Sequence, residues 1–145
     1  MVVFLLKITT VTSTVVYKGD LRTEAVHLQS GTVIETDAPV DNQGKGERFS
    51  PTDLVATALA CCMGTVMGIA ARTHKINIDG TSFSVEKIMV PDPRRIGEIK
   101  INITFPPNQN YEEKHRTLLQ RTAMTCPVLE SLHPDLKKTI LFIWP

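Results

Sequence analysis

Hydrophobic and polar residues alternate strictly from position 98 to position 105. The apolar positions are Ile99, Ile101, Ile103 and Phe105, and the polar positions between them are Glu98, Lys100, Asn102 and Thr104. Side chains two residues apart share one face of a strand, so this pattern predicts a strand with one buried and one solvated side. The preceding segment, 81–90, also has strand character, and the Pro-containing turn between them favours an antiparallel pair.

The remaining elements follow from similar patterns and from the positions of Gly and Pro. The predicted strands outside this pair are 3–17, 21–28, 32–36 and 139–144, and the predicted C-terminal helices are 111–124 and 127–132. A polar loop, 37–49, separates the third strand from a long central helix. Because strands and helices do not alternate regularly, this order indicates an α+β fold.

The long helix is predicted over residues 50–75. Ser50 is expected to act as its N-cap, Pro51 suits the first helical position, and Asp53 places negative charge in the first turn. No residue from Leu54 to Ala71 is charged, so the helix is expected to lie buried between other layers. The same length fits a membrane span, but the capped, acidic start favours a core helix.

The composition is that of a single globular domain, expected to cover residues 1–145. The chain has 145 residues, of which 42% are hydrophobic and 21% charged, and its formal net charge is +1. A chain of this length buries enough surface to fold without disulfides. The balanced charge gives no reason to expect a nucleic-acid partner, and the apolar N-terminal run is too short for the core of a signal peptide.

The residues with the clearest chemistry are the three cysteines, Cys61, Cys62 and Cys126. An odd number with two adjacent members does not fit a secreted disulfide framework, so a reducing cytoplasm is expected. Cys62 has apolar helical neighbours, which suits a buried structural residue as well as a reactive one. Cys126 begins the short helix, where free amides would favour its thiolate. The cysteines and histidines lack the short spacings of a structural metal site.

Two segments together resemble the OsmC/Ohr family of thiol-dependent peroxidases: SPTDLVATALACCM, which begins at Ser50, and TCPVLESL, which begins at Thr125. In that family a proline begins the central helix and the reactive cysteine follows eleven residues later, which corresponds to Cys62. A Cys-Pro motif supplies the second cysteine, which corresponds to Cys126. The resemblance implies an OsmC-like fold, with antiparallel sheets around the long buried helix.

The resemblance also implies a reaction, which needs no bound cofactor. An organic hydroperoxide or hydrogen peroxide would oxidise Cys62 to a sulfenic acid, and Cys126 would resolve it to a disulfide that an external dithiol reduces. In the family, an arginine held by a glutamate favours the thiolate, and the candidates for that arginine here are Arg22 and Arg48. The position of the glutamate corresponds to Thr52, and the nearest carboxylate is Asp53.

This departure places the chain in the broader OsmC-like branch. It leaves a non-catalytic redox sensor or small-molecule binding protein as the alternative to a peroxidase. Members of the family are intertwined homodimers with their central helices packed together, so the resemblance implies a homodimer. The stripe of small residues at Ala60, Gly64 and Gly68 would allow such a close helix contact. The expected partners are a peroxide and a thiol reductant, with no membrane.

Overall fold

The computed structural model describes residues 10–145. In chain order its elements are β1 (Ser13–Gly19), β2 (Arg22–His27), β3 (Val33–Asp37), a single 3₁₀ turn (Val40–Asn42), α1 (Pro51–Thr73), β4 (Ser82–Val90), β5 (Arg95–Thr104), α2 (Glu113–Ala123), α3 (Pro127–Ser131) and β6 (Lys137–Ile143). The predicted α+β class is confirmed. The part of the predicted first strand before residue 10 lies outside the described residues.

The chain divides into two compact units, the first ending at Pro51 and the second spanning Thr52–Pro145. In the first unit, β1, β2 and β3 form an antiparallel sheet in that order. Its register places Val15 opposite Ala25 and Ala25 opposite Ile34, so these side chains share one face. Val15 and Ile34 are exposed on that face. That residues 1–145 fold as one domain stays a prediction.

The second unit contains the sheet β4–β5–β6. The antiparallel pairing of β4 with β5 is confirmed, with Val85 opposite Ile101. The expectation of wholly antiparallel sheets is wrong for one pair, because β6 runs parallel to β5, with Ile101 opposite Ile140. The physical reason is that α2 and α3 lie between these strands in sequence, and a helical crossover returns the chain in the same direction.

The core of the second unit forms where α1 packs against the inner face of this sheet. The predicted inward positions of β5, Ile99, Ile101 and Ile103, are fully buried, and they join the buried positions of α1 in one cluster. The buried positions of α1 include Leu59, Met63 and Met67. By length and composition alone α1 could also cross a membrane. The core helices of soluble proteins meet the same two criteria.

The stripe of small residues on α1 serves packing within the chain at two of its three positions. Ala60 is buried, and a Cβ added at Gly64 would lie 3.1 Å from Cζ of Phe83 on β4. Only at Gly68 would an added Cβ meet nothing within 4 Å. Glycine at position 64 therefore lets the helix approach the sheet closely, a use that the sequence pattern did not distinguish from contact with a second helix.

The helix α2 begins at Glu113, two residues later than predicted. Tyr111 is buried instead, with its ring against Phe105 and Trp144, and its hydroxyl donates to the carbonyl oxygen of Asn77 at 2.7 Å. Tyr111 therefore packs into the core from the segment before the helix, and its aromatic contacts take the place of a position in the first turn.

Candidate functional site

The second unit brings two of the predicted site residues together, Cys62 on α1 and Cys126 at the start of α3. The Cys62 side chain lies within hydrogen-bonding reach of the Cys126 thiol. Both cysteines are free thiols. Cys126 is fully buried in the core cluster, whereas Cys62 packs against that cluster and keeps partial exposure. The pair therefore consists of one partly exposed cysteine and one fully buried cysteine.

The environment of Cys126 is set by its place as the N-cap of α3. Its Sγ accepts a hydrogen bond from the backbone N–H of Leu129 at 3.4 Å, as the predicted position at a helix start requires. The predicted preference for the thiolate is nevertheless wrong, because burial raises the pKa of the Cys126 thiol and outweighs the backbone hydrogen bond. A helix of five residues offers too little dipole to offset that desolvation.

Cys61 points elsewhere. It is exposed, while the side chain of Thr65, one turn later, donates to its backbone carbonyl oxygen at 2.9 Å. Consecutive helical residues are rotated by about 100° from one another, so Cys61 and Cys62 face different surroundings on the same helix. The structure thus distinguishes the two adjacent cysteines, which the composition of their helical neighbours alone did not.

The start of α1 carries an ion pair that the sequence analysis missed. Asp53 Oδ1 lies 2.8 Å from Nζ of Lys87, and the same ammonium donates to Oγ1 of Thr52 at 2.8 Å. Lys87 lies on the face of β4 that carries Phe83 and Val85, and its side chain is only 15% exposed. A lysine at an inward position of an alternating strand is the signal that could have revealed it.

In the first unit, carboxylates hold the candidate arginine Arg22. Its Nε donates to Oδ1 of Asp37 at 2.7 Å, and its Nη2 donates to Oδ2 of Asp37 at 2.8 Å and to Oε2 of Glu47 at 3.0 Å. Asp37 is almost fully shielded from solvent. The hydrogen bond and charge of Arg22 lower the pKa of Asp37, and the two carboxylates raise the pKa of Arg22.

The second candidate, Arg48, is held more loosely. Its Nε lies 3.2 Å from Oε2 of Glu35, its Nη1 donates to the backbone carbonyl oxygen of Glu47, and its side chain is 47% exposed. Glu35 also lies 3.8 Å from Nε of Arg22, so both arginines belong to one group of charges. Asp37 and Glu47 are thus site candidates that the sequence analysis did not name, because nothing local marks them as partners of Arg22.

Among residues 10–145, no group of three or more His, Cys, Asp and Glu side chains could hold a metal ion. The described residues do bring together two thiols and, in the first unit, a group of paired charges. Two adjacent thiols, one accessible and one buried beside it, can exchange between a dithiol and a disulfide.

The comparisons with known proteins agree with this description. The family model for OsmC-like proteins matches residues 44–140. A solved structure from Psychrobacter arcticus, provisionally named an osmotic stress induced and detoxification response protein, is 55% identical, covering 92% of this chain and 96% of that chain with a TM-score of 0.87. No curated protein matches the sequence.

More distant structures share the fold. An organic hydroperoxide resistance protein OsmC from Legionella pneumophila is 14% identical, covering 94% of this chain and 98% of that chain with a TM-score of 0.73. An organic hydroperoxide resistance protein from Elizabethkingia anophelis is 13% identical, covering 95% and 99% with a TM-score of 0.72. The architecture is an OsmC-like fold in which two of the three cysteines, Cys62 and Cys126, lie together. The chain belongs to the OsmC/Ohr family, in its OsmC-like branch.

Proposed function

We propose that this protein is a thiol-dependent peroxidase that reduces organic hydroperoxides or hydrogen peroxide, using Cys62 and Cys126. The observation that carries the proposal is the contact between these two thiols, which lie far apart in sequence. Membership in the OsmC/Ohr family and the hydroperoxide resistance proteins among its structural relatives support a role in oxidative stress.

In the proposed reaction Cys62 is the attacking residue, because it keeps the solvent access that a peroxide needs. The Cys62 thiolate attacks one peroxide oxygen and the O–O bond breaks. The other oxygen takes up a proton from water and leaves as an alcohol, or as water when the substrate is hydrogen peroxide, so that Cys62 becomes a sulfenic acid. The Cys126 thiol then attacks the Cys62 sulfur, water leaves, and a disulfide forms. A dithiol returns two electrons and restores both thiols. Cys126 suits the second step, since burial protects it from direct oxidation.

Of the two candidate arginines, we further propose Arg22 for the role of the family's arginine. Two carboxylates fix its guanidinium, whereas Arg48 is more exposed and held by one. In this arrangement Asp37 and Glu47 take the orienting role of the family's glutamate, whose position holds Thr52. Asp53, the other predicted candidate, would instead hold Lys87 at the start of α1.

The test of the reaction follows peroxide loss with dithiothreitol and cumene hydroperoxide, comparing the three Cys→Ser variants with the wild type. Cys62→Ser is expected to fall to the uncatalysed rate. Cys126→Ser is expected to accumulate a sulfenic acid that dimedone traps, without a disulfide. Cys61→Ser, the matched control, should keep turnover. Peroxide consumption by Cys62→Ser at the wild-type rate would show that the assignment is wrong.

A second candidate function is a redox sensor or small-molecule binding protein without turnover. The observation favouring it is that Thr52 stands at the helix start and that Lys87 engages the neighbouring Asp53. A sensor is oxidised once and does not cycle, so repeated turnover with excess dithiol separates the two functions. A purely structural role for Cys62 and Cys126 predicts that both resist thiol reagents until the protein unfolds, whereas Cys61 is exposed in any case.

We also propose a cytoplasmic homodimer. Three free thiols suit a reducing compartment. Val55 and Ile69 are exposed on α1, as are Val15 and Ile34 on the first sheet, and a second copy would cover such apolar surface. An obligate dimer should bury more than about 2,000 Å². Sedimentation showing a stable monomer at micromolar concentration would contradict the dimer.

A further inference from the structure

The helix α3 depends on Cys126 for the hydrogen bonding of its first turn. The backbone N–H of Leu129 donates to Cys126 Sγ at 3.4 Å, and the N–H of Val128 also faces that sulfur. The helix has five residues, none of them fully buried. So short a helix is not stable by intrinsic propensity. Its stability therefore depends on this cap and on the partial packing of its apolar side chains against the core.

A disulfide between Cys62 and Cys126 would change that cap. The formation of this disulfide rests on the function proposed above. An S–S bond is about 2.05 Å long, shorter than any hydrogen-bonded contact between thiols, so Cys126 Sγ must move towards Cys62. This displacement of the sulfur weakens its hydrogen bonds to the amides of Val128 and Leu129.

Cycling also requires that the reductant reach the disulfide. Reduction proceeds by attack of a thiolate on a disulfide sulfur, so it depends on access to that sulfur. Cys126 is fully shielded in the reduced protein, and α3 with its flanking residues forms part of the surrounding structure. A closed α3 would therefore hinder attack on the Cys126 sulfur and leave only the Cys62 sulfur open to the reductant.

We propose that α3 is a gate controlled by the state of the two thiols. Formation of the Cys62–Cys126 disulfide removes the N-cap, loosens residues 127–131 and opens the path by which a dithiol reaches the Cys126 sulfur. Reduction restores the cap and closes the helix. The segment would thus expose the disulfide to the reductant while keeping the free Cys126 thiol shielded.

Hydrogen exchange tests the gate directly. Protein carrying Cys61→Ser, which retains the pair, is oxidised with diamide, which takes up the two electrons and two protons of the thiols. Exchange in the peptide covering residues 125–132 should then become about fivefold faster, the factor equivalent to the roughly 1 kcal/mol of a lost N-cap. Dithiothreitol should reverse the change. The double variant Cys61→Ser/Cys62→Ser, which keeps the cap and cannot form the pair, should show no change.

Unchanged or slower exchange in protein whose disulfide is verified by mass would overturn the gate, and so would failure of diamide to form that disulfide. The result separates from the proposed function. Faster exchange without peroxide turnover would contradict the peroxidase and support the gate. Peroxide turnover without faster exchange would support the peroxidase and contradict the gate.

A kinetic measurement tests the same gate without altering a thiol. Ser131→Ala removes the hydrogen bond from Ser131 Oγ to the carbonyl oxygen of Pro127, 2.7 Å long, within α3. In the Cys61→Ser background it should speed reduction of the disulfide by dithiothreitol about two- to tenfold, the range equivalent to one net hydrogen bond. Thr73→Ala is the matched control, since it removes the 3.1 Å bond from Thr73 Oγ1 to the carbonyl oxygen of Ile69 in α1. Equal rates in all three proteins would overturn the gate.

Discussion

The guanidinium of Arg22 and the carboxylate of Asp37 are joined at two points, Nε to Oδ1 at 2.7 Å and Nη2 to Oδ2 at 2.8 Å. The backbone N–H of Glu47 also donates to Asp37 Oδ2, at 3.2 Å, so the same carboxylate ties β3 to the loop before α1. This relationship fixes Arg22 in one orientation, and it makes the stability of the first unit dependent on pH.

The pH dependence has a definite sign. Because Arg22 lowers the pKa of Asp37 in the folded protein, the stabilisation is complete above the unfolded value of about 3.9 and is lost as the pH falls through the folded value. Asp37→Asn should therefore lower the melting temperature at pH 7 and flatten its decline below about pH 4. Glu47→Gln, which changes a more exposed partner, is the control with the smaller expected effect. An Asp37→Asn protein with wild-type stability at pH 7 would contradict the prediction.

The contact between Lys87 and Asp53 predicts unequal effects of removing either partner. Asp53→Asn leaves the largely shielded ammonium of Lys87 facing an uncharged amide, so it should lower the free energy of unfolding by about 1–2 kcal/mol. This cost is smaller than for a fully buried ion pair, because the side chain of Asp53 is 40% exposed. Lys87→Met keeps the apolar stem and removes the charge, so it should cost less. A double-mutant cycle measured by urea unfolding gives the coupling, and a value near zero would show that the pair contributes nothing.

Two glycines of α1 provide a matched pair of substitutions. Alanine stabilises a helix more than glycine does, by about 1 kcal/mol. Gly68→Ala should therefore raise the free energy of unfolding of the single chain by up to that amount, because the added Cβ meets nothing within 4 Å. Gly64→Ala should gain less or lose stability, because its Cβ would lie 3.1 Å from Phe83 Cζ. Chemical denaturation measures both. Equal stabilisation by the two substitutions would mean that the helix does not approach β4 as closely as described.

The three cysteines should differ in their rates of alkylation. The thiolate is the reactive form, so Cys126, whose thiol is buried and whose pKa burial raises, should be labelled last at pH 7, well after the exposed Cys61. Labelling of Cys126 should accelerate as the pH rises and should become fast on unfolding. Mass spectrometry of iodoacetamide-treated peptides assigns each site, and labelling of Cys126 as fast as that of Cys61 would contradict this order.

Local patterns in the sequence predicted the elements that depend on local physics. The alternation through Ile99 and Ile101 identified the buried face of β5, because side chains two apart share a face whatever their partners are. Pro127 likewise located the start of α3 and made Cys126 its N-cap. The exception, the late start of α2, arose where the aromatic contacts of Tyr111 outweighed the local preference.

The sequence by itself determined the α+β class, the uncharged central helix and the two cysteine motifs that relate the chain to its family. Only the tertiary structure decided which thiol is accessible, that burial governs the pKa of Cys126, which carboxylates hold Arg22, and that β6 runs parallel to β5. The reason is that helix starts and alternating strands depend on neighbours within a few residues. Desolvation, ion pairing and the contact between Cys62 and Cys126 depend on residues brought together from distant parts of the chain.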